Sequence, residues 1–282
     1  MNNDDAVCWT LSGFGDEIHP DPARQTDVLL AIGAHHIEVR SADGINVVDM
    51  GPAQTTPLLA LLNEKGFAVS AVAFPIGKVD VALPALAEVE RLRRVIAVAH
   101  DLGTRYVRVF SFFRGPRQSP ADIRSAAIER MSLLAQLAET SGIVLLHENE
   151  KDIYGDTPER VLDLMESVAS PALRVAWDSA NFVQVGVKPF TEGYALLRPY
   201  LEYVQVKDAQ FTTGEVVAAG EGDGELLNTL RALRDDGYTG FVFLEPHLAS
   251  THALGGFSGP EAFGAAARAF RRLTDSLGVN LA

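Results

Sequence analysis

Four polar residues stand at or near the ends of otherwise apolar runs, far apart in a chain of 282 residues. Glu148 lies in IVLLHEN (143–149), Asp178 ends LRVAWD (173–178), Gln205 lies in LEYVQVKD (201–208) and Glu245 lies in FVFLEPH (241–247). In an extended strand, alternate side chains share a face, so Val144, Leu146 and Glu148 point one way, as do Phe241, Phe243 and Glu245. If the apolar members face a common core, both glutamates face its mouth. Three carboxylates brought together repel one another, which raises their pKa values or demands a counter-charge. A divalent cation is the simplest remedy, and oxygen ligands suit Mg²⁺ or Mn²⁺. A plainer reading stands beside this one: a carboxylate at a strand end can be a solvated residue or a helix cap, and Asp178 in WDSANF has a cap's position.

The elements that would position these residues alternate along the chain. Strand-like runs fall at 9–14, 35–40, 68–74, 106–112, 143–149, 173–178, 201–208 and 241–247, with helical spacing between them. Residues 84–102 repeat apolar positions at Leu86, Val89, Leu92, Val95, Ile96 and Ala99 and stop at Gly103. Further helices are expected at 20–32, 120–140, 225–236 and 259–277, four of the five being followed at once by glycine and the other by Gly142 two residues on. Eight strands alternating with helices predict a parallel sheet with right-handed crossovers, closed into a (β/α)8 TIM barrel of the α/β class. Such a barrel needs about 250 residues, so a single domain over 1–282 is expected. Its chemistry sits at the C-terminal ends of the strands, where the four residues lie. An open doubly wound sheet is the competing architecture. No glycine fingerprint for a dinucleotide follows the first strand, where Gly15, Asp16 and Glu17 succeed Phe14.

Composition narrows the partners. Hydrophobic residues make up 47% of the chain, enough for a sizeable core. There are 24 Lys and Arg against 37 Asp and Glu, a formal charge of −13. A field of that sign repels phosphate backbones, so no nucleic-acid partner is expected, while a small molecule or a cation is not excluded. No apolar run is long enough for a membrane span, and the acidic start MNNDDAVCWT lacks the pattern of a signal peptide. Cys8 is the only cysteine, which fits a reducing, cytoplasmic setting. The oligomeric state is left open, a homo-oligomer among the options.

The segments HENE (147–150), WDSANF (177–182), VQVKDA (204–209), GEGDGE (220–225) and LEPH (244–247), with GFGDEI and IEVR nearer the start, resemble those of the sugar phosphate isomerase/epimerase family, the xylose isomerase-like TIM barrels. The resemblance spans nearly the whole chain and defines the superfamily better than the substrate. It implies a metal bound by Glu148, Asp178, Gln205 and Glu245. Gln205 departs from the pattern, because the family usually has histidine there. A glutamine carbonyl can ligate a hard cation but suits zinc poorly, so Mn²⁺ or Mg²⁺ is favoured over Zn²⁺ or Co²⁺. The departure is also compatible with loss of the metal. The implied reaction is isomerisation or epimerisation of a sugar, polyol or related hydroxy-carbonyl compound through an enediolate, with Glu148 and Glu245 moving the proton from opposite sides. A metal-dependent dehydratase acting on an inosose- or dehydroshikimate-like substrate, and a non-catalytic sugar-binding barrel, are the alternatives.

Other residues carry weaker expectations. Glu150, Asn181, Lys207, His247 and Glu38 are candidate substrate contacts. For Glu150 the plain alternative is a solvated loop residue, for Lys207 an ion pair, and for His247 a rim histidine. Glu17, His19, Arg40, Lys78 and Ser111 are pocket candidates, and Glu38 with Arg108 is a candidate inward pair. His147 has the opposite parity to Glu148 and reads as a buried histidine with its hydrogen bonds satisfied. The glycine-rich stretch 220–225 reads as a turn or as a lid. Phe14, Phe74, Phe112, Trp177 and Phe182 are candidates for an apolar wall, each also a candidate for the core.

Overall fold

The computed structural model describes residues 7–252 and 255–282. Its main strands are β1 (Cys8–Gly13), β2 (His36–Val39), β3 (Ala68–Ala73), β4 (Tyr106–Val109), β5 (Val144–Glu148), β6 (Leu173–Asp178), β7 (Leu201–Val206), β8 (Phe241–Leu244) and a two-residue β9 (Asn280–Leu281). The principal helices are α1 (Pro22–Ala31), α2 (Pro52–Glu64), α3 (Ala85–Asp101), α4 (Pro120–Thr140), α5 (Pro158–Val168), α6 (Leu226–Asp235) and α7 (Gly259–Leu277). Proline opens α1, α2, α4 and α5, where its missing N–H costs no intrahelical bond. Ser119 and Asp122 cap α4 reciprocally.

The strands form one curled sheet in the order β9-β1-β8-β7-β6-β5-β4-β3-β2, every pairing parallel. The closed eight-stranded barrel expected from the sequence is met in part. Where the curl would close, β1 and β2 meet at a single parallel bridge between Phe14 and Glu38 rather than along a ladder. Part of the reason is local. Cys8 and Trp9 already pair with β9, and the chain turns into a short helix (Gly15–Ile18) directly after Phe14. Little of β1 is left to face β2.

Strand alternation separates two cores. Phe14, Tyr106, Leu146, Tyr203 and Phe243 fill the inside of the curl, with Ala71, Ala73 and Ala176 making room for the aromatic rings. Phe14 and Phe243 pack edge to face at 5.1 Å. The opposite parity of the strands, including Leu11, Val107, Leu145, Val175 and Val242, belongs to the larger core shared with the helices. Glu148 continues the inward row of Leu146, Asp178 that of Ala176, Gln205 that of Tyr203 and Glu245 that of Phe243.

Candidate active site

A cavity of about 340 Å³ opens over the inner core, a volume suited to a small ligand. Its walls include Glu148, Glu150, Asn181, Lys207, Glu245 and His247, with Phe74, Phe110 and Phe113 as apolar surface. One carboxylate oxygen each from Glu148, Asp178 and Glu245 lie within 4.8 Å of one another, and all three residues are buried. Asp178 and Gln205 are fully buried behind the cavity wall.

Each member is held by its neighbours. Asp178 is the helix cap the sequence allowed: Oδ1 accepts from the Asn181 backbone at 2.9 Å, while Oδ2 turns to Lys207. Asn181, in the cavity wall, also donates from Nδ2 to Glu148 Oε1 at 3.0 Å. Asn149, which the sequence did not single out, ties β5 to β6 through paired bonds with the Asp178 backbone, both 2.9 Å. Its one signal was its place in the HENE segment.

Two cations stand among the carboxylates. Lys207 Nζ lies 2.7 Å from Asp178 Oδ2 and 3.6 Å from Glu245 Oε2. The guanidinium of Arg108 contacts Glu148, donates from Nε to Glu38 Oε1 at 2.7 Å, and lies 3.5 Å from Glu245. The expected Glu38–Arg108 pair is therefore present, but Glu38 is not a substrate contact. It is fully buried beneath Arg108, outside the cavity wall, and its other oxygen accepts from the Tyr203 hydroxyl at 3.1 Å.

These contacts set the protonation states. Burial pushes Glu38 up to about 7 against the pull of Arg108. Burial also pushes Asp178 up to about 7, Lys207 opposing and the charges of Glu148 and Glu245 assisting. Burial would raise Glu245 too, but Arg108, Lys207 and His247 outweigh it and hold this carboxyl well below the usual range. Burial opposes the charge on Lys207, yet Asp178, Glu245, Glu148 and Glu150 raise its pKa.

His247 has a left-handed backbone, φ 47°, which non-glycine residues rarely adopt and which often marks a functional site. The turn places Nε2 at 2.9 Å from Glu17 and 3.4 Å from Glu245. Burial lowers its pKa, but Glu245 above all, with Glu17, raises it to about 9. Glu17, fully buried, also accepts from Ser258 Oγ at 3.0 Å. It supports the site through His247 and does not line the cavity.

The remaining candidates divide. Glu150 is no solvated loop residue: it pairs with Lys78 at 2.8 Å, and Lys78 and Lys207 lower its pKa against burial. Arg40 lines the cavity and pairs with Asp16 at 2.8 Å. His19 instead accepts from the Asp21 backbone, and Ser111 from the Gly155 backbone, both away from the cavity. His147 is buried as expected but not satisfied, because neither ring nitrogen has a partner. Of the proposed aromatic wall, only Phe74 lines the cavity; Phe14, Phe112, Trp177 and Phe182 are core.

The glycine-rich stretch is a pinned turn rather than a lid. Asp208 accepts from the backbone of Gly220, Gly222 and Gly224 at 2.8 to 3.1 Å, and from that of Ala209. The approach needs glycine: a Cβ on Gly222 or Gly224 would sit 2.5 or 2.6 Å from the Asp208 carboxylate.

Residues 27–273 match the family model of the xylose isomerase-like TIM barrel, and the chain belongs to that family. A curated relative, 2-epi-5-epi-valiolone 7-phosphate 2-epimerase of Actinoplanes sp., is 31% identical over 219 residues, 76% of this chain and 78% of the relative. Solved structures share the fold at low identity. A D-tagatose 3-epimerase-like protein superposes with a TM-score of 0.77 at 16% identity, covering 95% of this chain and 98% of that one. A probable 3-DHS dehydratase from Bacillus anthracis gives 0.74 at 16% identity over 93% and 98%. A family member from Mycobacterium smegmatis, solved in complex with magnesium, gives 0.70 at 18% identity over 98% and 99%. Among the described residues, no helix is long and apolar enough to cross a membrane.

Proposed function

We propose that the protein is a divalent-metal-dependent epimerase or isomerase of a sugar-like hydroxy-carbonyl compound. The observation that carries this reading is the convergence of Glu148, Asp178 and Glu245 at the floor of a ligand-sized cavity. The donor set fits a hard cation. Glu245 Oε2 and both polar side-chain atoms of Gln205 are buried without a hydrogen-bond partner. Asp178 Oδ2 meets Lys207 but forms no hydrogen bond. Buried polar atoms in this state call for a partner, such as a bound ion or a water. Glu148, Asp178 and Glu245 would hold the ion, with Gln205 as a neutral oxygen ligand. When bound, Mn²⁺ or Mg²⁺ supplies a Lewis acid for the substrate carbonyl and its neighbouring hydroxyl.

The proton chemistry falls to the chain's own residues. Glu245 is held ionised by Arg108, Lys207 and His247, the form in which a carboxylate can take a proton from carbon. Glu148, on β5, delivers a second proton, drawn from solvent, from the other side, to the same carbon in epimerisation or to its neighbour in isomerisation, and the proton held by Glu245 leaves to solvent. Lys207 and His247 lie beside Glu245 at the cavity wall, where they can donate to substrate oxygens. The substrate is a small molecule, and the epimerase relative favours a cyclitol ketone or sugar.

Purified protein with Mn²⁺ in D₂O should incorporate deuterium at one carbon of a responsive substrate, within a panel of ketohexoses and cyclitol ketones, free and phosphorylated. Glu245→Gln should slow exchange by about a hundredfold or more. Absence of exchange across the panel would overturn the epimerase reading. A conjugated product absorbing in the ultraviolet would assign a dehydratase instead.

A further inference from the structure

Arg108 is an unusual companion for a cation site. It sits on β4, a strand that none of the proposed ligands occupies, and its side chain is 5% exposed. It reaches Glu38, Glu148 and Glu245 together. Its guanidinium lies over Phe14, 4.8 Å from the ring centroid, so it cannot shift far toward the inner core. From below it is anchored by a polar column: Glu38 accepts from Tyr203, whose hydroxyl is 3.0 Å from Ser70 Oγ, itself 2.7 Å from Ser12 Oγ. Arginine stays charged in such a setting, and its rigid fork fixes the carboxylates it touches.

Charge balance gives this placement a consequence. With all groups ionised, Glu38, Glu148, Asp178 and Glu245 bring four negative charges, and Arg108 and Lys207 bring two positive ones. Glu17 with His247, and Glu150 with Lys78, are self-balanced pairs at the margin. Two negative charges remain, the complement of one divalent ion. Resting on the metal-centre reading above, we propose that Arg108 is a built-in counter-ion that limits this centre to one divalent cation, moderates its affinity, and positions Glu148 and Glu245 around it.

The test is calorimetry with Mn²⁺ on chelator-stripped protein at pH 8.5, above the value of about 7 to which burial pushes Glu38 and Asp178. The wild type should bind one Mn²⁺. Arg108→Met leaves three negative charges uncompensated and should bind Mn²⁺ about tenfold more tightly, or take a second ion. Adding Glu38→Gln to it restores the original balance and should return the affinity to within about threefold of wild type. Arg108→Lys keeps the charge and should also stay within about threefold, while deuterium exchange falls because the fork is lost. A purely structural role for Arg108 predicts weaker binding in every variant, and that pattern overturns the proposal. So does unchanged affinity in Arg108→Met. If Arg108→Met fails to fold, the double and lysine variants decide, and tighter binding in either refutes charge balance as the cause. A wild type that binds no Mn²⁺ sinks the metal-centre reading and this inference with it, whereas normal wild-type binding with unresponsive variants sinks this inference alone.

Discussion

His147 offers a sharp test of how burial governs this protein. It precedes Glu148 on β5, so strand alternation turns it away from the cavity and into the wall of the barrel. The side chain is fully buried, and neither ring nitrogen has a hydrogen-bond partner. Gly155 presses against it so closely that a Cβ there would lie 2.5 Å from Cε1 and 2.8 Å from Nε2. With no acceptor to stabilise a charged ring, burial drives the pKa from 6.5 down to about 3. The folded protein therefore keeps His147 neutral where the unfolded chain takes up a proton. Above about pH 6.5 the group contributes nothing to the pH dependence; below it the unfolded state gains, and stability falls until about pH 3. At pH 5 the unfolded chain has gained about 1.5 pH units of proton binding, or about 2 kcal/mol. Urea unfolding of metal-free protein, followed by fluorescence of the buried Trp9 and Trp177, measures this directly. Between pH 7.5 and 5 the wild type should lose about 2 kcal/mol more than His147→Gln, which cannot titrate. The carboxylates titrate in both proteins and cancel in the comparison. Equal losses would show that the ring finds a proton acceptor and that burial does not set its charge.

Two further predictions concern the rim and the metal. Asp208→Ala removes the acceptor shared by Ala209, Gly220, Gly222 and Gly224, and should cost about 3 kcal/mol in urea unfolding, with faster proteolysis at 218–225; unchanged cleavage would mean that the turn holds itself. Gln205→His puts an imidazole where both amide atoms now lack partners, and should raise Zn²⁺ affinity relative to Mg²⁺ by about tenfold in calorimetric titration. An unaltered ratio would remove Gln205 from the ligand set.

Elements with strong boundary signals were legible in the sequence, and elements without them were not. The expected helix at 259–277 coincides with α7, and those at 84–102 and 120–140 come within a residue of α3 and α4, because periodicity and end signals agree there. Helices α2 and α5 went unmarked. In α2, Pro57 stands inside the helix and masks its repeat. In α5 the stop is Ala169, held at φ 49° without the usual glycine. Residues 189–197 form π and α turns, which have no single period to detect. The β1–β2 junction was out of reach for a different reason: one bridge, not a patterned ladder, joins the two strands, and no local sequence rule encodes it.

The site shows the same division between pattern and contact. Parity alone was enough to turn Glu148 and Glu245 toward one interior, because each continues a row of apolar side chains whose direction the core dictates. Parity says nothing of what a long side chain does after leaving the backbone. Asn181 had the spacing of a substrate contact; it lines the cavity, and its amide nitrogen also serves Glu148. Glu38 also had a site residue's position, yet it ends beneath Arg108, where its work is to hold a guanidinium in place. Two buried cations, Arg108 and Lys207, decide how much negative charge the three carboxylates present to the cavity. Carboxylates at strand ends therefore name a candidate centre, but the charge it presents is set by two cationic side chains, Arg108 on β4 and Lys207 just after β7, that no strand-end pattern points to.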